Sequence, residues 1–360
     1  MSHHRPRLAS LVLLSLLAVA CGRDEPTPAR SATAGLADGA DRFTTVWVGD
    51  ILLADAFVRK KLKDHSYYWP FEFLRDELEA DYTIGNQEGP ITADRKRYWP
   101  KQRWHYNAVP ETAKVLADVG FDALSLANNH LLDRGPDGVE ASRKHISEAG
   151  MVPFGAGKDF DTAIVPLVID TEHGKLGVVG FGRNWRKQYK AEEDRAGLPP
   201  LSRTNLRKGL ELAKAAGAKW VVAYPHWGGN YSVVRESQEK WGRRAIEAGY
   251  DAVIGHGSHM AQRVDVIDGK PIVYSLGNFV FGTPGRYSEE FPGWGLMLRT
   301  YLGPDGLDGF ELTCILTDNK KIKFQPRVCT PDAAKGFFAQ LGDGKNLEYR
   351  EGTAKAIVTW

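Results

Sequence analysis

Five segments of the chain place metal-binding or proton-transferring side chains directly after short apolar runs. Asp50 follows "TTVWVG", Asn86 and Glu88 follow "DYTIG", and Asn128, Asn129 and His130 follow "ALSLA". Further on, His226 ends "WVVAYPH", and His256 and His259 follow "DAVIG". Two carboxylates, an amide oxygen and three imidazoles form a donor set for a divalent ion such as Mn, Fe or Zn. Each ending alone has an ordinary reading: Asn turns a chain or caps a helix, and Gly-Asp is a common turn. Five in succession point to one shared edge, because the carboxyl ends of parallel strands lie together and form the ligand-binding rim of an α/β sheet.

The elements that would carry these groups to one edge alternate along the chain. "RFTTVWVGD" predicts a strand, and "FEFLRDELEADYTIGNQEG" a helix followed by a short strand. "PETAKVLADVGFDALSLANNH" repeats the scheme, with Pro110 suited to a helix start and Gly120 to its end. "GPDGVEASRKHISEAGMVPFGAG" gives another helix and strand, and the runs around His173-Gly174 predict an antiparallel hairpin. Alternation resumes through "RTNLRKGLELAKAAGAKWVVAYPHWGG" and "SQEKWGRRAIEAGYDAVIGHGSH", and "KPIVYSLGNFVFG" reads as a strand pair with a Gly turn. Beyond about Phe281, "GWGLMLRTYL", "GFELTCILTD" and "KIKFQPRVC" read as a β-meander, with a short helix near "PDAAKGFFAQL". The expectation is an α/β fold with mixed sheets over residues 43–285, extended by a C-terminal β-rich part over residues 286–360 of the same domain.

The motifs "GD", "GNQEGPIT", "LSLANNHLLDRG", "HWGGNY" and "GHGSHMAQRVDVIDGKPIVYSLGNFVF" closely resemble those of the capsule-synthesis CapA family, named for bacterial poly-γ-glutamate production. That family resembles the calcineurin-like metallophosphoesterases, which implies a mixed-sheet α/β sandwich with one or two metals at strand ends. By this resemblance Asp50 is a first-metal ligand and Glu88 stands at or near the bridging carboxylate. Asn129 and His226 hold the second metal, and His256 and His259 supply paired imidazoles. His130 is then the acid that protonates the leaving group. Asn86, Asn128, Arg183, Trp227 and Asn278, in or beside the same motifs, are expected on the substrate side. Three positions depart from the pattern. Leu52 stands where metallophosphoesterases carry His, Gly257 where many relatives carry His, and Asn230 where many carry Glu.

Two segments, "RKRYWPKQRWHY" and "GRNWRKQYK", mix cations with aromatics. As loops flanking the site they would attract an anionic polymer or a phosphorylated precursor; as solvated loops they would only pack their own aromatics. At the start of the chain, Arg5 and Arg7 precede "LASLVLLSLLAVA" and Cys21, a signal peptide over residues 1–20 that resembles a bacterial lipobox. Residues 21–42 then form a lipidated Cys and a Pro/Ala/Gly-rich tether. Without the first twenty residues cations and carboxylates balance, so charge gives no push toward nucleic acid. Cys314 and Cys329 would remain, able to pair in an oxidising compartment. The expectation is an envelope lipoprotein, exported across the inner membrane, that acts as a metal-dependent hydrolase or transferase on an anionic polymer. The alternative is a non-catalytic polymer-binding or assembly subunit, working with membrane synthesis machinery.

Overall fold

Alternation of side chains along the strands decides which layer each residue enters. The computed structural model describes residues 41–183, 187–289, 292–341 and 346–360, apart from the side chains of residues 55–57. The expected signal peptide and lipid anchor, and Trp185 and Arg186 of the second basic segment, lie outside the described residues. In chain order the strands are β1 Phe43–Leu52, β2 Tyr82–Gln87, β3 Ala123–Ser125, β4 Val152–Phe154, β5 Leu167–Thr171 and β6 Gly174–Gly182. Next come β7 Ala218–His226, β8 Ala252–Ile254, β9 Ala261–Ile267, β10 Lys270–Leu276 and β11 Asn278–Phe281. The last are β12 Trp294–Gly303, β13 Gly306–Leu316, β14 Arg327–Val328, β15 Leu347–Tyr349 and β16 Lys355–Val358.

They form two mixed sheets. One has the order β15-β16-β13-β12-β1-β2-β3-β4, with β11 also paired to β1 and β14 to β13; the other has the order β5-β6-β7-β8-β10-β9. β1 to β4 are parallel, as are β6, β7, β8 and β10. Trp47, Ile84, Val222, Tyr224, Leu298 and Phe310 fill the layer between the sheets. Val46 and Val48, pointing the other way, pack under the helices Glu111–Asp118 and Gly135–Glu148. Val221 and Ala223 likewise meet the helices Arg203–Ala215 and Glu236–Ala248. The result is the expected mixed-sheet α/β sandwich with β-strands added at the C-terminal end.

Three expectations are corrected. "FEFLRDELEAD" forms two 3₁₀ turns, Trp69–Phe71 and Asp76–Leu78, in place of an α-helix. Its polar groups are spent on β1 and β2: Asp81 accepts from the Thr44 backbone, and the Thr83 hydroxyl donates to the Leu78 carbonyl. "KIKFQPRVC" is not a meander strand. It begins in a helical turn, turns again at Lys323 and Phe324 with φ of 54° and 74°, and pairs with β13 only over Arg327–Val328. Pro326 donates nothing to a ladder, and β16 takes the place beside β13. Finally, β10 and β11 are consecutive strands as read, but in different sheets, with Gly277 at φ 73° making the crossing.

Cys314 on β13 and Cys329 are joined by a disulfide, with Cα atoms 5.5 Å apart. Both are buried in the inter-sheet layer. The bridge closes a loop with a sequence separation of 15. Replacing both by Ala is expected to lower unfolding stability by about 3 kcal/mol. Urea unfolding of the variant beside the native protein checks this; unchanged stability would show the bridge to be incidental.

Candidate metal centre

The ends of the parallel strands from both sheets meet at one edge. Asp50 on β1 lies in register with Asn86 on β2 and with Asn278 on β11. From the other sheet, His226 at the end of β7 bridges to His256 beyond β8. The approach is close enough to require glycine. A Cβ on Gly49 would lie 1.9 Å from the Gly277 carbonyl, which accepts the Asp50 backbone N–H at 2.9 Å.

Asp50, Glu88 and His259, all buried, place one donor atom each within 4.8 Å of one another. His259 Nδ1 is 3.3 Å from Asp50 Oδ2 and 3.1 Å from Asn278 Oδ1. Burial alone would raise the Asp50 carboxyl, but the His259 hydrogen bond and the surrounding imidazoles hold it down at about 2. Burial opposes a charge on His259, yet the Glu88 and Asp50 carboxylates keep it up at about 9. Burial pushes Glu88 up to about 7, against the pull of His259 and with the help of the Asp50 charge. Neither Glu88 oxygen has a hydrogen-bond partner among the described residues. Oε1 stands 3.8 Å from His130 Nε2 and 3.8 Å from His259 Nε2. Both are too long for hydrogen bonds, and for Glu88 and His259 the spacing suits donors about 2.1 Å from a common ion. His259 itself sits at φ 60°, a strained conformation for a non-glycine residue. Tyr287 fixes it there by donating to its carbonyl at 3.2 Å, while Asn278 donates to the Tyr287 hydroxyl.

A second donor group lies beside the first. Asn86 Nδ2 donates to Asp50 Oδ1 at 2.8 Å and stands 3.3 Å from His226 Nδ1, which leaves the His226 proton on Nε2. That Nε2 donates to Asn129 Oδ1 at 2.8 Å. Burial drives His226 down to about 3 and His256 to about 4, each against the pull of Asp50, so both rings are neutral donors. His256 Nε2 donates to the Val48 carbonyl at 3.2 Å, and its buried Nδ1 has no partner among the described residues. A carbonyl that fixes the tautomer and leaves the other nitrogen bare is how metal-binding imidazoles are held. The buried Glu88 oxygens and His256 Nδ1, unpartnered among the described residues, fit a divalent ion. The amide of Asn128, by contrast, is wholly used within the scaffold. It donates to Asn86 and the Gln87 carbonyl and accepts from His130 and Gly89.

His130 Nδ1 donates to Asp133 Oδ2 at 2.8 Å. Asp133, wholly buried, also accepts from the Tyr106 backbone at 2.7 Å and from Gln102 at 3.0 Å. It therefore fixes the ring, with Nε2 toward Glu88, and would stabilise an imidazolium. The motif reading did not single out Asp133, although its place three residues after His130 is a local signal. Nor did it find Tyr287, which comes to the site from a separate loop and donates to the His259 carbonyl. Leu52 is buried in the layer behind β1 and supplies no donor.

A cavity of about 380 Å³ opens onto Asn129, His130, His226 and Gly257. Its other walls include Gln102, Arg103 and Trp104 of the first basic-aromatic loop, and Arg183 and Tyr189 at the second. Among the described residues that line it, no side chain is acidic. Trp227 lines it while its indole donates to the Tyr274 carbonyl at 2.8 Å, and the exposed Asn230 stands at the rim. Gly257 is at φ 98°, and a Cβ there would come within 2.8 Å of the His226 ring. Gly257→Ala is expected to displace His226 and weaken metal binding about tenfold or more, read by calorimetric titration with Mn or Zn. Native-like affinity in that variant would place the ion away from His226.

A match to the family of bacterial capsule synthesis protein PGA_cap spans residues 44–283. The chain is 30% identical over 249 residues to capsule biosynthesis protein CapA of Bacillus anthracis, covering 67% of this chain and 60% of that protein's length. It is 27% identical over 278 residues to PGA biosynthesis protein CapA of Bacillus subtilis (strain 168), covering 76% of this chain and 72% of that one. Among solved structures, a novel phosphatase of Mycoplasma pneumoniae aligns with a TM-score of 0.47 and 11% identity, over 79% of this chain and 97% of its own. The family resemblance read from the five motifs is thus borne out over the stretch that carries every candidate donor. The chain belongs to the bacterial capsule synthesis protein PGA_cap family.

Proposed function

We propose that this protein is a metal-dependent hydrolase or transferase of the bacterial envelope, acting on an anionic capsule polymer such as poly-γ-glutamate or on its phosphorylated precursor. The observation that carries the reading is Glu88, a fully buried carboxylate with both oxygens unpartnered among the described residues, facing two imidazoles at 3.8 Å. A charge in so dry a place calls for a cation to offset its desolvation. Asp50, Glu88 and His259 would hold one divalent ion, and Asn129, His226 and His256 offer donors for a second. Such an ion supplies Lewis-acid activation of a phosphoryl or acyl centre and a water nucleophile near neutral pH. The chain's own groups do the rest. Asp133 accepts from His130 Nδ1 and fixes the ring, and it is the doubly protonated ring whose Nε2 proton would pass to the leaving group, leaving the neutral imidazole behind. Arg103 and Arg183 draw an anionic substrate into the cavity.

The names of the Bacillus relatives support the polymer class. The Cys314–Cys329 disulfide supports a compartment outside the cytoplasm. With the apolar run before Cys21, it favours export and a lipid anchor beside membrane synthesis machinery. Among the described residues no helix is long and apolar enough to cross a membrane. The test is turnover of bis(p-nitrophenyl) phosphate, p-nitrophenyl phosphate and γ-linked oligoglutamate by metal-loaded protein. Turnover of one of them, abolished by chelator and restored by metal, is the expected result. Metal-loaded protein inert toward all three would favour the polymer-binding subunit, the reading on which Leu52 in place of a histidine donor bears most directly.

A further inference from the structure

Resting on the reading of an anionic polymer as substrate, we infer that the polymer's path continues past Arg183 into a second cavity. There Lys240 and Arg244 bind carboxylates of residues beyond the one being processed. This cavity, of about 370 Å³, is lined by Arg183, Glu236, Ser237, Lys240, Trp241 and Arg244. Arg183 therefore belongs to the walls of both cavities. Its guanidinium donates to the Ser237 carbonyl at 3.2 Å, which ties the end of β6 to the first turn of the helix Glu236–Ala248. Lys240 and Arg244 are one turn apart on that helix and share a face. The Arg244 guanidinium lies over the Trp241 ring at 4.6 Å, so its direction is set by packing.

A solvated helix face would also show cations; what sets this one apart is that Lys240 and Arg244 line a cavity that shares Arg183 with the first. Neither Lys240 nor Arg244 makes an ion pair with a carboxylate of the described residues, although Glu236 stands one turn before Lys240. Arg103, at the mouth of the first cavity, makes none either. A phosphate monoester would occupy the first cavity alone. A chain with a carboxylate on every unit can meet Arg103, Arg183, Lys240 and Arg244 together.

The test is fluorescence anisotropy with labelled oligo-γ-glutamates: the dimer, the pentamer and the decamer. It is run on the full protein at low and at physiological salt. Affinity is expected to rise with length and to weaken with salt. Lys240→Glu/Arg244→Glu is expected to weaken decamer binding about tenfold and to flatten the rise with length. Lys175→Glu/Lys219→Glu carries the same charge change at the amino ends of β6 and β7, away from the edge that carries the site, and is expected to keep the rise. No gain with length in the native protein, or equal losses in the two double variants, would overturn the inference. Both readouts are of binding. Failure of metal binding or turnover would therefore count against the metal centre and leave this series to be judged by itself.

Discussion

Glu88→Gln is expected to lower metal affinity by more than about 100-fold and, at the same time, to make the metal-free protein more stable. The two effects have one origin. Without a cation, the buried cluster holds two carboxylates, Asp50 and Glu88, and one imidazole held charged at neutral pH, His259. Asp50 and His259 balance each other, and Glu88 is the surplus. Its carboxyl is raised from 4.5 to about 7, so the stability it contributes is present below 4.5 and lost as pH rises through about 7. Gln keeps the shape and removes the charge. Stability of the chelated variant should exceed that of the native protein by about 1–2 kcal/mol at pH 8 and by little at pH 5. Chemical unfolding at the two pH values, beside calorimetric metal titration, reads both effects. A variant that is less stable at pH 8 without metal would mean that Glu88 is a structural partner of His259 and not a waiting ligand.

His130→Ala is expected to lower turnover by about 10²–10⁴-fold while leaving metal content unchanged, because the ring stands at the cavity but outside the two donor groups. A general acid matters most when the leaving group is poor. The loss should therefore be far greater for phenyl phosphate than for p-nitrophenyl phosphate, whose phenolate departs without a proton. Asp133→Asn should reproduce the same leaving-group pattern in weaker form. It keeps the side chain's size and removes the charge that stabilises the imidazolium. An equal loss on both esters would make His130 a substrate-positioning residue.

The convergence of the candidate side chains was legible in the sequence because each follows an apolar strand, and the parallel order of β1 to β3 and of β6 to β8 carries them to one edge. Asp50, Glu88, His226, His256 and His259 need no more than that rule to be gathered. The network that orients them was not legible. Tyr287 reaches the His259 carbonyl from 28 residues away, and Val48 offers its carbonyl to a ring 208 positions on. Partners of that kind depend on loop paths that no local pattern encodes. The C-terminal strands were misread for a similar reason. β13 pairs with β16, Phe310 opposite Val358, across a segment with a helix of its own, whereas apolar runs suggest pairing with the nearest neighbour. Both basic-aromatic segments contribute to the cavity wall, through Arg103 and Trp104 in the first and Arg183 and Tyr189 in the second.

Elemental mass spectrometry of protein purified without chelator, beside His226→Ala prepared in the same way, tests the metal centre most directly. About one or two equivalents of Mn, Fe or Zn are expected in the native protein, with a clear reduction in the variant. A native protein that holds no metal, even after incubation with each ion in turn, would contradict that expectation. The buried Asp50, Glu88 and His259 would then be an ion cluster in their own right, on a frame that binds polymer without transforming it.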